Sequence, residues 1–198
     1  RAIAMYSGQP TTRAALQLSA LLFQRPGNIR QMKWADVDLD GAVWRIPAAD
    51  MKRTLHGKLN GRPHVVPLAP QALAILTDLK GLTGQGKYVF CNRSGMPYDN
   101  KNFIQRVWHP LLRHLGLKLR RPYQCRHTAA TLWLASGESP EWIARQLGHS
   151  TTEMLFRVYS RYVPNLTRRD GSAFERMLLQ SGSLSVVGQE GNTAANDV

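Results

Sequence analysis

From Arg120 to Tyr162 the sequence reads RRPYQCRHTAATLWLASGESPEWIARQLGHSTTEMLFRVYSRY, and its punctuation leaves few choices of local structure. Gln124 to Ser136 suits a helix closed by Gly137, because glycine tolerates the left-handed conformation that ends helices. Ser139 and Pro140 then start a second helix, with serine as N-cap and proline in the first position, running to Leu147 with Gly148 beyond its end. Ser150-Thr-Thr-Glu153 matches a capping box that opens a third. On that third helix Leu155 and Tyr159 share a face by their i, i+4 spacing. A fold of such helices brings Arg126, His149 and Tyr159 within reach of one another. A guanidinium, an imidazole and a phenol together suit attack on a phosphodiester.

The rest of the chain predicts a mostly α fold with one small antiparallel β-sheet. Thr11 to Gln24 has the apolar spacing of a helix, capped by Thr11 or Thr12 and ended by Arg25-Pro26-Gly27. Asn28, as N-cap, starts a short helix to Lys33. Asp40-Gly41 marks a turn. Ala42 to Pro47 and His64 to Leu68 read as strands, and the basic segment between them, MKRTLHGKLNGRP, as the long, mobile tip of a β-hairpin. Pro67 confines the second strand to an edge or an end. Tyr88 to Phe90 suggests a third short strand. Gln71 to Leu79 reads as a helix and Gly81 to Gly86 as a loop. Asp99 to Leu115 is helical, interrupted at Pro110 and ended by Gly116. A last short helix is expected over Ala173–Leu179, and a flexible tail over residues 181–198. One domain therefore spans residues 1–180. Because the chain opens on Arg1, a missing upstream region is expected.

Charge narrows the partner. Lys and Arg number 26 against 13 Asp and Glu, a net charge of +13. Glu190 and Asp197 are the only charges after residue 180, so residues 1–180 carry +15. A surplus of that size points to a polyanion, nucleic acid above all. Cys91 and Cys125 cannot form a disulfide framework or a Cys-rich zinc site, which suits a reducing compartment. No apolar run approaches the roughly 18–20 residues of a membrane span, and no signal peptide opens the chain. The six histidines form no metal-binding pattern, and no Gly-x-x-x-x-Gly-Lys phosphate loop occurs.

Each candidate residue has an ordinary alternative. Arg25 sits at a helix end beside a Pro-Gly turn, as many surface arginines do. Lys52 lies just past the first hairpin strand among other solvated cations, Arg53, Lys58 and Arg62. Arg126 occupies the first turn of its helix, where free N–H groups and the helix dipole favour phosphate. A carboxylate partner is the alternative there, and few acids lie near in sequence. His149 follows a helix-ending glycine and is placed to donate to phosphate or trade protons. His127, inside a helix, reads as a structural histidine. Tyr159, with a phenol pKa near 10, needs local help to become a nucleophile, and Arg157 and Arg161 flank it.

In order, these motifs resemble the catalytic domain of the tyrosine recombinase (phage integrase) family over roughly Thr11 to Asn165. LLFQRPGNIRQMKWADVDLD resembles the first arginine box, WRIPAADMKR…HVVPL the lysine hairpin, YQCRHTAATLWLASG the His-x-x-Arg box and LGHS the third. By that resemblance Arg25, Lys52, Arg126 and His149 are the catalytic residues and Tyr159 the nucleophile, with Lys58 the second candidate for the lysine. The pattern departs at three points. Tyr123 stands where the second box usually has histidine, which leaves it as an uncertain phosphate contact. Asn28 stands where glutamate is usual. Tyr159 lies ten residues after His149 rather than nine, and Tyr162 lies thirteen after it.

The resemblance implies a site-specific recombinase that breaks and rejoins double-stranded DNA through a 3′-phosphotyrosyl link, for integration or excision of a phage or mobile element. It implies no metal or nucleotide cofactor, a homotetramer on two DNA duplexes, and a cytoplasmic, nucleoid-associated location. A topoisomerase IB-like relaxase and a DNA-binding protein that has lost catalysis remain alternatives.

Overall fold

The computed structural model describes residues 5–52, 54–149 and 151–159, together with Ile3, Leu179 and Gln180. The expected helix over 173–179 falls mostly outside the described residues, as do Arg53, Ser150, Arg161, Tyr162 and the tail from residue 181.

Helix α1 spans Pro10–Leu22, with Pro10 in its first turn. It buries Ala14, Ala15, Leu16, Leu18 and Leu22. Its N-cap is Gln9, two residues before Thr11 and three before Thr12. The hydroxyls of Thr11 and Thr12 bond to the Tyr98 hydroxyl instead. Phe23 ends α1 in the left-handed region, φ 52°, a conformation strained for a bulky residue. Helix α2 is Pro26–Arg30, with Arg25 rather than Asn28 as its N-cap. Asn28 sits inside α2 and donates its amide to the Asp50 carbonyl at 2.9 Å, which ties α2 to the hairpin.

Strands β1 (Val37–Asp38), β2 (Val43–Ile46) and β3 (His64–Pro67) form an antiparallel sheet in the order β1-β2-β3. Trp44 pairs with Val37 on one side and Val66 on the other, and Ile46 pairs with His64. Side chains alternate across the sheet. Trp44, Ile46, His64 and Val66 are buried while Arg45 and Val65 face out. Pro67 ends the edge strand β3, where its missing N–H breaks no ladder. The third strand is Val37–Asp38 and not Tyr88–Phe90. Tyr88 makes only an isolated bridge to Lys33, while Val89 and Phe90 are buried in the core. The hairpin tip is also more structured than its composition suggests. Helix α3 (Leu55–Leu59) occupies it, with the Thr54 hydroxyl accepting from the Gly57 N–H.

Helix α4, Pro70–Thr83, packs along α1 and runs through Gly81, the start of the expected loop. Its end is fixed by the Thr83 hydroxyl, which bonds the Val89 carbonyl at 3.0 Å. The Asp99–Leu115 segment forms α5 (Asn100–Phe103), a wider π-helical turn (Ile104–Trp108) and α6 (His109–His114). Proline lacks the N–H that an α-helix needs, and a widened turn just before Pro110 absorbs the mismatch. Helices α7 (Tyr123–Ala135), α8 (Pro140–Gln146) and α9 (Glu153–Tyr159) complete the described fold.

Among the described residues the buried side chains form three clusters, one of them Leu16 against Trp108, Leu111 and Leu112 of the π-turn and α6. The largest joins α1, the sheet and α4 through Leu18, Trp44, Ile46, Leu76 and Phe90. Another joins α7, α8 and α9 through Leu134, Ile143, Leu147 and Leu155, with Trp133 and Trp142 at its edge. Phe23 belongs to the chain of the largest but packs on this helical one, its ring edge-on to Trp133 at 5.3 Å. Arg25 follows two residues later, at this seam.

Candidate active site

Two polar side chains stitch the seam. Gln24, only 4% exposed, donates to the Gln146 carbonyl at 2.8 Å and bonds the His64 ring at 3.2 Å. It thus joins the end of α1, the start of β3 and the end of α8. Arg126, 3% exposed, donates to the carbonyls of Phe23 and Leu147. The left-handed turn at Phe23 carries one of those carbonyls. Neither Gln24 nor His64 stands out in the sequence, because a buried amide and a strand histidine carry no motif of their own.

These bonds leave Arg126 charged in a dry place, with no carboxylate paired to it among the described residues. Burial, then the neighbouring Arg25, lowers its pKa to about 10, so it stays a cation at neutral pH. Tyr123 and Tyr159 lie beside the guanidinium and oppose that shift. Arg25 is half-buried, and its Nη1 has no hydrogen-bond partner among the described residues.

His149 follows Gly148, whose φ of 61° turns the chain out of α8. A β-carbon at Gly148 would lie 3.1 Å from the His64 ring, so only glycine fits the turn without displacement. The His149 Nδ1 is buried and has no partner among the described residues. Burial comes first, and Arg126, Arg25, His127 and His64 add to it, lowering the His149 pKa to about 4. Four cationic or basic side chains therefore act on one imidazole. Two of the converging groups, Arg25 and His149, keep a buried nitrogen unpaired among the described residues. A buried polar atom without a partner costs about 1–3 kcal/mol, and here both atoms suit an anion.

Tyr159 lies on the buried face of α9, 8% exposed. Val158, at the more usual spacing from His149, is 40% exposed and faces outward. The extra residue is absorbed in how α9 presents its face. Burial raises the Tyr159 pKa, Tyr123 adds to the rise and Arg126 opposes it. Arg157 does not supply the expected help, since its guanidinium is turned to the Met154 sulfur at 3.6 Å. The hydroxyl meets Nδ1 of His127 instead. His127 also stacks edge-on against Tyr123 at 5.0 Å. His127, read from the sequence as a structural histidine, therefore lies against the tyrosine hydroxyl. The i, i+4 spacing of Tyr123 and His127 was the available signal.

Lys52 stands apart. It is exposed beyond β2, and among the described residues no hydrogen bond or ion pair joins it to the cluster. Lys58, exposed on α3, is equally separate. The base of the arm is nonetheless held, by Asn28 on the Asp50 carbonyl and by Lys33 on the Asp50 carboxylate at 2.9 Å. Among the described residues no group of three or more His, Cys, Asp or Glu side chains could hold a metal ion.

Comparison with known proteins follows the same outline. The family model described as the phage integrase family matches residues 2–165. The integrase of Enterobacteria phage P4 is 30% identical over 177 residues, covering 84% of this chain and 39% of that protein. Prophage integrase IntR of Escherichia coli (strain K12) is 26% identical over 168 residues, covering 72% of this chain and 41% of that one. The chain thus spans about two-fifths of the length of these curated relatives. Among solved structures, XerA recombinase aligns over 91% of this chain and 60% of its own, with a TM-score of 0.63 and 22% identity. The Tn1549 transposon integrase in complex with transposon right end DNA aligns over 91% of this chain and 63% of its own, with a TM-score of 0.66 and 14% identity. A helical fold with a three-stranded antiparallel sheet, matched along most of its length by a single family model, identifies the chain as a member of the phage integrase family, with the catalytic-domain fold of tyrosine recombinases.

Proposed function

We propose that the chain cuts and rejoins DNA at specific sites, integrating or excising a phage or other mobile element in the cytoplasm of its host. One observation carries the reading. Arg25 and His149 each have a buried nitrogen without a partner, and they converge with Arg126 beside the Tyr159 hydroxyl. That arrangement suits a phosphate group and disfavours an empty, dry core.

In the proposed reaction Tyr159 attacks a backbone phosphorus and the bond to the 5′-oxygen breaks. The DNA is then held by a 3′-phosphotyrosyl ester, and a 5′-hydroxyl leaves. Arg25 and Arg126 stabilise the charge that builds on the non-bridging oxygens. His149 donates to the same oxygens. Lys52, swung inward by bound DNA, protonates the leaving oxygen. Attack by a 5′-hydroxyl of a second duplex reverses the step and joins the new strands. The ester conserves the energy of the broken bond, so the cycle is isoenergetic. Tyr123, beside Arg126, provides a neutral hydrogen bond at the position where the resembled second box has histidine. Four copies on two duplexes, and a DNA-clamping domain upstream of residues 1–180, complete the proposed assembly.

The test is a nicked duplex spanning one end of the element, from which the cleaved fragment diffuses away and traps the ester. A protein–DNA adduct that survives denaturation, disappears in Tyr159→Phe and persists in Tyr162→Phe is the expected result. Persistence in Tyr159→Phe contradicts the assignment of the nucleophile. Tight, site-specific binding by the wild-type protein without any adduct favours a binding protein that has lost catalysis. Relaxation of supercoiled DNA without strand exchange favours the topoisomerase-like alternative.

A further inference from the structure

Resting on the function proposed above, the geometry points to His127 as the group that takes the proton from Tyr159 during cleavage. Three observations converge on it. First, Nδ1 of His127 meets the Tyr159 hydroxyl, the reacting atom itself. Second, the environment withholds ionisation from the tyrosine. Burial holds its pKa above the ordinary phenol value, and Arg157, on the same helix, turns away to Met154. A phenol so placed stays protonated and needs a base. Third, among the described residues no other base touches that hydroxyl. Tyr123, at the position where the second box usually has histidine, is a phenol and is no stronger a base than the group it would have to deprotonate.

His127 meets the requirements of a proton acceptor. It is half-buried between α7 and α9, with its ring steered by the edge of Tyr123. The groups that face it are Arg126 and Tyr123 on α7, Tyr159 on α9, and His149 just before α9. Burial and then Arg126 lower its pKa below the usual 6.5, so it is neutral at pH 7 with a free lone pair. With the ring proton on Nε2, Nδ1 accepts the tyrosine proton. The phenolate oxygen bonds to phosphorus, the phosphorus–5′-oxygen bond breaks, and the leaving oxygen takes its proton from Lys52. In the return step the 5′-hydroxyl gives up its proton to neutral Lys52, and imidazolium at His127 returns the first proton to the departing phenolate. Protons and charges balance over the cycle with no further reactant.

The experiment measures adduct formation by the protein as expressed from its own gene. Its probe is the nicked duplex with either a normal phosphodiester or a 5′-bridging phosphorothiolate, whose sulfur leaves without needing a proton. His127→Gln, which keeps a hydrogen bond but offers no base, is expected to slow the ester reaction by ~10²–10⁴-fold. The defect should persist on the phosphorothiolate. Lys52→Ala should recover on that substrate, because its role is at the leaving group. His127→Ala should regain activity with added imidazole, and that rescue separates lost base from lost fold. The wild-type rate should fall as pH drops through the His127 titration, below 6.5. His127→Gln should lose that limb. A His127→Gln rate within about threefold of wild type, where at least the lower end of general-base catalysis is expected, overturns the inference and leaves the proposed function standing. So does full recovery of His127→Gln on the phosphorothiolate. A wild-type protein that forms no adduct overturns both.

Discussion

Arg126 is 3% exposed and clasped by two backbone carbonyls, whereas Lys52 stands in solvent on the hairpin arm. In the proposed reaction both cations serve the same phosphate, yet the fold treats them oppositely. The floor of the site is assembled from the ends of α1, α7, α8 and α9 before any DNA arrives. The lysine arm is fixed only at its base, through Asn28, Lys33 and Asp50. The difference separates two tasks. Charge that develops on the phosphate is best met by donors that need no reorganisation. A proton donor exposed on an arm can be withheld until DNA draws it in, so that cleavage awaits the bound substrate.

The comparison can be broken first at the arm. Lys52→Ala should lower cleavage by ~10²–10⁴-fold, while Lys58→Ala should leave it nearly unchanged, as read by single-turnover adduct formation. An equal loss in Lys58→Ala would move the proton donor to the tip of the hairpin. The floor comes next. Arg126→Lys keeps a charge but loses the planar fork that reaches Phe23, Leu147 and a phosphate together. Cleavage should fall by ~10²–10³-fold, and thermal denaturation should register the two carbonyls left without donors. Arg25→Ala should produce a similar loss of rate with a smaller loss of stability, because Arg25 makes no side-chain bond among the described residues.

A third test uses Gly148. Alanine there must adopt φ 61° and press on the His64 ring at 3.1 Å. The left-handed backbone alone costs about 1–2 kcal/mol, measurable by urea denaturation, and displacement of His149 should reduce cleavage further. The smallest effect is on acid stability. The unfolded chain protonates His149 near 6.5, but the folded chain resists until about 4. Its contribution is therefore fully present above pH 6.5 and is lost as pH falls from 6.5 toward 4. His149→Gln should flatten that part of the stability profile.

Much of this architecture was legible in the sequence because its punctuation is local. Gly137, Ser139-Pro140 and Gly148 set the ends of α7 and α8 almost to the residue. The spacing of Leu155 and Tyr159 gave the buried face of α9. Other readings failed where tertiary partners overrode local chemistry. Thr11 and Thr12 bond Tyr98, far along the chain, instead of capping α1. Asn28 reaches Asp50 instead of capping α2. Val89 and Phe90 have strand-like side chains but are buried beneath α4 without a sheet partner. In the site, the arginines and the tyrosine announce themselves through their boxes. Gln24, His64 and His127 do not, since their roles exist only once α1, β3, α8 and α9 have met.

The claim that the floor is a preformed phosphate site is tested most directly by following the His149 ring by NMR as a function of pH, free and bound to cognate duplex. In the free protein the ring should titrate at about 4. With DNA bound, a phosphate facing the cations should raise that value and make binding take up a proton. Titration of the free ring near its ordinary 6.5, or a value that DNA leaves unmoved, would contradict the account.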